Sequence, residues 1–207
     1  MKYKIQLFAA LMLSVLTFSL LSCNKSEISK EQAQSALTGT SAMVSETTST
    51  GAEALVYSIT KVAPATEGKA VDFNWVDAGK TMSYSELTKG KVVLLNFWGT
   101  WCPPCRHEIP DLIKIATDLK NKNFVMMGVA LERDQNGALK KVKSFAEAQK
   151  INYVLFVDDS REIVNAYGGI NAVPTTYIID KEGKIAETIV GMRDYNGFME
   201  SINRVLK

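Results

Sequence analysis

From about Gly68 to the C-terminus, apolar positions alternate between strand-like runs and helix-like spacing, the pattern of an α/β domain with several strands in one sheet. Val92 to Trp98 is an unbroken β-branched and aromatic run, which predicts a central strand covered on both faces. Phe124 to Leu131 and Tyr153 to Val157 read as further buried strands. Between them, Pro103 to about Lys120 predicts a helix with proline in its first turn, and Pro110 is expected to kink it by removing one interior hydrogen bond. Ala138 to Gln149 predicts a second helix with Leu139, Val142 and Phe145 along one side, and Glu162 to Tyr167 a short third. Thr175 to Ile179 and Ile185 to Val190 read as strands of a hairpin, because Asp180 and Gly183 suit the tight turn between them. Asp194 can cap a last helix running to Lys207.

The first third of the chain is different. Residues 1–22 carry Lys2 and Lys4 and then an apolar run from Ile5 to Leu21, the layout of an export signal. Leu20-Leu21-Ser22-Cys23 resembles the bacterial lipobox, and that resemblance implies that Cys23 is lipidated and held at a bilayer. The competing reading is an uncleaved membrane helix; both leave the rest of the chain outside the cytoplasm. Residues 23–67 are read as the lipidated cysteine and a flexible tether, since Asn24 to Gly51 is rich in Ser, Thr, Ala, Gln and Glu. Such a stretch of ~45 residues has a root-mean-square span of 35–40 Å. Within it, Ala54 to Val62 is more apolar and offers one short strand. The folded domain is expected over 68–207.

Charge changes the picture little. The 24 basic and 22 acidic residues leave +2, so nothing in the charge balance calls for nucleic acid as a partner. Cysteine changes it more. Only Cys23, Cys102 and Cys105 occur, too few for a multi-bridge framework. Cys102 and Cys105 sit two residues apart where a buried strand runs into a helix. Unpaired amides and the helix dipole at that point stabilise a thiolate at Cys102. Cys105, one turn later and expected to be more buried, would keep a higher pKa and resolve a mixed disulfide formed by Cys102.

A closed zinc site normally wants four Cys or His ligands, and once Cys23 is set aside only His107 remains beside the pair. A two-thiolate copper(I) site stays chemically open. Covalent haem attachment is excluded, because the motif needs histidine directly after the second cysteine and Arg106 stands there. His107 reads as a solvated helix residue, and Met126-Met127 as core filling. Trp98 is expected in the core and Trp101 at the surface, where it can contact a partner polypeptide.

The run Asn96-Phe97-Trp98-Gly99-Thr100-Trp101-Cys102-Pro103-Pro104-Cys105-Arg106, with Pro110 five residues on, resembles the thioredoxin superfamily, and more narrowly the exported TlpA/ResA-like thiol-disulfide oxidoreductases. The resemblance runs from about Lys69 to the C-terminus, departing at Val71, where the family often has proline. It implies a thioredoxin-like α/β fold with a central mixed sheet flanked by helices. It implies a cis-proline at Pro174 in Val173-Pro174-Thr175-Thr176, shaping a groove in which the backbone near Val173 pairs with an extended partner segment. Trp101, Pro103, Val173 and Pro174 are then the expected substrate contacts. Gly128-Val129-Ala130-Leu131-Glu132 is similar to the family strand that ends in an acidic residue, which implies that Glu132 exchanges a proton with Cys105.

The expected function is thiol-disulfide exchange on protein substrates, with no cofactor beyond the Cys102–Cys105 disulfide and no metal. The resemblance implies a reductant recharged by a membrane electron donor in a bacterial envelope. A peroxiredoxin-like peroxidase is the enzymatic alternative, but its usual threonine lies three residues before the reactive cysteine and Thr100 lies two before. A non-enzymatic copper(I) carrier is the alternative from another class.

Overall fold

The computed structural model describes residues 55–207, so the expected signal, Cys23 and the start of the tether lie outside the described residues. In chain order, β1 (Val56–Ser58) and β2 (Lys61–Val62) precede β3 (Phe73–Asp77), β4 (Lys80–Ser83) and a five-residue helix α1 (Tyr84–Thr88). Next come β5 (Val92–Trp98), α2 (Pro103–Asp118), β6 (Phe124–Ala130), α3 (Ala138–Gln149) and β7 (Val154–Val157). The last elements are α4 (Glu162–Ala166), β8 (Thr175–Ile179), β9 (Ile185–Val190) and α5 (Tyr195–Val205).

Six strands form one sheet in the order β1-β7-β6-β5-β8-β9. β1, β7, β6 and β5 run parallel, whereas β8 is antiparallel to both β5 and β9, so the sheet is mixed. All seven residues of β5 are buried, and alternate side chains feed two separate cores. On one face Leu94 and Trp98 pack with Leu112 and Ile115 of α2, Val142 of α3 and Phe198 of α5. On the other, Leu95 and Phe97 pack with Phe73, Trp75, Tyr84 and Ile163. Burial on both faces is what a continuous apolar strand requires. Met126 and Met127 are buried, one in each core.

The helices follow their caps. Asp194 accepts from the Gly197 amide at 2.9 Å to start α5, and Asp180 accepts from Glu182 and Lys184 in the β8–β9 turn, where Gly183 takes φ +78°. α2 continues through Pro110. α3 differs from expectation. Its buried face is Ala138, Val142 and Ala146, while Phe145 is half-buried against Trp98 and Leu139 is exposed. Small residues at i, i+4 and i+8 let the helix lie close to the sheet, and Leu139 falls at the edge of that stripe, about 60° from its middle.

The expected start of the domain at residue 68 falls inside the fold. β1 pairs in parallel with β7, and the Leu155 amide donates to the Leu55 carbonyl at 2.8 Å. Tyr57 sets its ring 6.2 Å from both Trp75 and Phe156. β2 extends the β3–β4 hairpin into a second, three-stranded antiparallel sheet. The one strand expected within Ala54 to Val62 is thus two short ones, and both belong to the folded domain. A chain beginning at Gly68 is therefore expected to be at least ~2 kcal/mol less stable than one beginning at Leu55, through lost ladder bonds and the uncovered Tyr57 contact. Urea unfolding of the two chains measures this; equal midpoints would mean that β1 and β2 add nothing.

Candidate active site

β5 delivers the chain to a loop, Gly99-Thr100-Trp101, whose end is the N-cap of α2 at Cys102. The Cys102 amide donates to the Gly99 carbonyl at 3.1 Å, and the Cys102 carbonyl accepts from Arg106 at 3.1 Å. Pro103 and Pro104 occupy the first two helical positions and carry no N–H. The first amide left to point out of the helix end is therefore that of Cys105, and it donates to Cys102 Sγ at 3.3 Å. That hydrogen bond and the positive end of the helix dipole both favour a thiolate at Cys102.

Cys102 and Cys105 are joined, with an S–S distance of 2.08 Å and Cα atoms 5.3 Å apart. The expected contrast in burial is absent, since Cys102 is 2% and Cys105 1% exposed. What separates them is position, one at the helix cap and one inside the first turn. Pro103, Pro104, Arg106 and His107 are exposed around them.

Facing the pair, the Val173–Pro174 bond is cis. Pro174 is buried and Val173 half-buried, and the Val173 carbonyl lies 3.6 Å from Cys102 Sγ. The Gly191 amide donates to the Pro174 carbonyl at 2.9 Å, and Thr175 Oγ1 donates to Ala172 at 2.8 Å, so both sides of this turn are tied down. Trp101 is half-buried rather than freely exposed. Its Nε1 donates to the Leu131 carbonyl at 2.9 Å, and the Arg133 guanidinium lies 4.1 Å from the ring centroid. Gly99 makes this possible, because a Cβ there would come within 2.6 Å of Trp101 Nε1.

Two buried carboxylates flank the loop. Glu132 accepts from the Thr100 amide at 2.8 Å, from Thr100 Oγ1 at 2.9 Å and from Lys141 Nζ at 2.6 Å. Its charge is matched by Lys141, and its oxygens are committed to holding the loop before Cys102.

Glu108, which the sequence reading did not single out, stands one turn after Cys105 on the same face of α2. It is 2% exposed; its Oε1 accepts from Asn96 Nδ2 at 2.8 Å, and its Oε2 makes no hydrogen bond of ordinary geometry. Asn96 also donates to Thr176 Oγ1 at 3.0 Å, which fixes the amide between β5 and β8. Burial pushes the Glu108 carboxyl up to about 7, with Asp111 acting in the same direction and the Asn96 amide and Arg193 backbone opposing it without cancelling it. The signal for Glu108 was present in the spacing: Cys105, Glu108 and Leu112 fall on one helical stripe, so a buried Cys105 implies a buried Glu108.

Residues 59–188 match the model of the AhpC/TSA family. The thiol-disulfide oxidoreductase ResA of Bacillus thuringiensis (strain Al Hakam) is 36% identical over 113 residues, covering 55% of this chain and 62% of that protein. ResA of Bacillus subtilis (strain 168) is 36% identical over 114 residues, 55% of this chain and 60% of that one. The chain thus spans a little under two thirds of the length of these relatives. Among solved structures, a thiol:disulfide interchange protein of the thioredoxin family from Chlorobium tepidum TLS superposes with a TM-score of 0.59 at 32% identity, over 72% of this chain and 100% of that one. The exposed lipoprotein thioredoxin of Streptococcus pneumoniae strain TIGR4 superposes with a TM-score of 0.55 at 28% identity, over 64% and 98%. With a thioredoxin fold, a paired Cys102–Cys105 and a family model matched over more than half its length, the chain belongs to the AhpC/TSA family.

Proposed function

We propose that the protein is a thiol-disulfide oxidoreductase that reduces protein disulfides, and that it works outside the cytoplasm, anchored to lipid through Cys23 and recharged by a membrane electron donor. The observation that carries this reading is Cys102 Sγ at the cap of α2, with the Cys105 amide on one side and the Val173 carbonyl on the other. The ResA relatives and the interchange proteins of the same fold support it. The lipoprotein named among the similar structures supports the anchor.

In the reducing direction the Cys102 thiolate attacks one sulfur of the substrate disulfide. The substrate S–S bond breaks, one substrate thiolate leaves, and a mixed disulfide forms. Cys105 then loses its proton and attacks Cys102 Sγ, which releases the second substrate thiolate and closes the Cys102–Cys105 disulfide. Two electrons pass to the substrate, and no cofactor takes part. The proton of Cys105 goes to Glu108, whose carboxyl is poised near neutrality one turn away. In this reading Glu132, expected to take that proton, instead holds Thr100. The same contact weighs against a peroxidase, because the Thr100 hydroxyl is spent on Glu132.

Trapping tests the reaction. A Cys105→Ser chain should accumulate mixed disulfides with partner proteins through Cys102, released by dithiothreitol, and a Cys102→Ser chain should trap none. Both should lose insulin reduction. Tight one-to-one copper(I) binding with no trapped partner would replace this reading. Acid quenching and alkylation in growing cells tests direction; a mostly oxidised pair would reverse it.

Glu108 has its own test. Its folded pKa lies above the unfolded 4.5, so its contribution to stability is present below pH 4.5 and is lost as pH rises through about 7. The loss is on the order of 3 kcal/mol. In the oxidised protein, where neither cysteine titrates, Glu108→Gln should gain by that order relative to the wild type between pH 4 and pH 8 in urea unfolding. Parallel curves would mean that burial does not hold the Glu108 proton.

A further inference from the structure

Beside Cys102 a groove of about 330 Å³ is lined by Trp101, Leu131, Ile170, Val173 and Arg161. Its floor is apolar, and one end is the Val173 carbonyl that contacts Cys102 Sγ. Its other features are cationic. Arg161 reaches over with Nη2 donating to the Glu132 carbonyl at 2.9 Å, and Arg133 is exposed with its guanidinium carbon 4.1 Å from the Trp101 ring centroid. Neither arginine forms an ion pair among the described residues. Glu132 is paired with Lys141 and Asp134 accepts from the Asn136 amide, while Asp158, bonded to the Val164 amide and the Ser160 hydroxyl, is close enough to Arg161 for their charges to attract without forming an ion pair.

The backbone supplies a second, independent observation. Arg161 sits at φ +62° and ψ 12° in front of α4, a left-handed conformation that glycine or asparagine adopts more readily, and its side chain makes no cap bond there. A bulky residue held in such a conformation beside a reactive centre points to a task for its side chain.

We infer that this groove selects partner segments in which the reacting cysteine is followed or preceded, within a few residues, by an apolar side chain and a carboxylate. The inference rests on the disulfide exchange proposed above and names its substrate class. The apolar side chain covers Trp101, Leu131 and Ile170, and the carboxylate meets the guanidinium donors of Arg133 and those of Arg161 that Glu132 does not take. Guanidinium suits this role because its fork of donors matches a carboxylate and its plane stacks on indole.

The test uses the reduced full chain and three disulfide-linked peptides with Leu beside the cysteine and Glu, Gln or Lys two residues further on. Two ion pairs, one half-buried at Arg161 and one exposed at Arg133, should make the Glu peptide oxidise the chain about tenfold faster than the Lys peptide at low salt. At 1 M salt, where screening acts within ~3 Å, the ratio should collapse toward one. Arg133→Glu should bring the ratio below one, and Arg161→Asn, which keeps the left-handed backbone, should reduce it. Each ratio is taken within one protein, so a damaged fold does not mimic the effect. A wild-type ratio of one, or a ratio that survives both substitutions, overturns the inference. Failure of all three peptides to oxidise the chain would instead overturn the proposed disulfide exchange.

Discussion

The register of β5 against its two neighbours sets where every reacting group can be. Its parallel pairing with β6 puts Trp98 level with Ala130, and its antiparallel pairing with β8 puts Phe97 level with Thr175. The segments that leave these strands therefore emerge at one end of the sheet: Gly99 to Cys102 from β5, Leu131 and Glu132 from β6, and Val173-Pro174 leading into β8. The Leu131 amide donating to the Trp98 carbonyl at 2.7 Å carries the pairing one step past the strands. A slip of one residue would exchange the two faces of β5 and send Trp98 into the wrong core. Because all seven of its residues are buried, that slip is energetically closed, and the corner is positioned by packing far from the sulfurs.

At that corner two buried glutamates have opposite surroundings. Glu132 has a lysine, an amide and a hydroxyl within hydrogen-bond distance, so its charge is compensated and its oxygens act as fixed acceptors. Glu108 has one amide donor and an orphaned oxygen, so burial favours its neutral form. The same functional group is thus a brace in one place and, in the exchange proposed above, a proton carrier in the other, a separation of roles by environment. Lys141 decides which is which. It reaches Glu132 from the first turn of α3.

Features that repeat along the chain were legible in the sequence, and features that depend on a single distant partner were not. β5, β8, β9 and α5 announce themselves through runs, turns and a cap that are local. The Cys102–Cys105 pair and the cis bond at Pro174 were legible through family resemblance as well as position. β1 and β2 fall in the apolar stretch Ala54 to Val62, where one strand is expected, but their place in the domain comes from pairing with β7 and β3, which no local pattern reports. Leu139 matches the apolar period of α3 but is exposed, because Ala138 and Ala146 are the residues small enough to let the helix approach the sheet. Glu132 was found, but its contact with Lys141 connects the end of β6 to α3 and no local pattern reports it. Glu108 shares a helical stripe with Cys105, and Asn96, a polar residue in an apolar strand, needs a polar partner, so both features point to a buried Glu108.

Burial of both sulfurs changes what reactivity means here. A thiolate stabilised by a helix cap is reactive toward any disulfide that reaches it, yet Cys102 is 2% exposed in the closed pair. Attack on sulfur requires approach along the S–S axis, so access rather than intrinsic nucleophilicity limits which disulfides react. Pro103 and Pro104 close one side with rigid surface, and the turn at Val173 closes another with a backbone carbonyl held in place by Thr175 and Gly191. The remaining approach runs past Trp101, which Gly99 and Leu131 pin in position. An extended polypeptide on that path meets the Val173 carbonyl, an acceptor for its backbone amides. In the exchange proposed above, selection then operates on the shape and charge of the segment around a partner's cysteine, and the helix cap supplies the chemistry once the segment is seated.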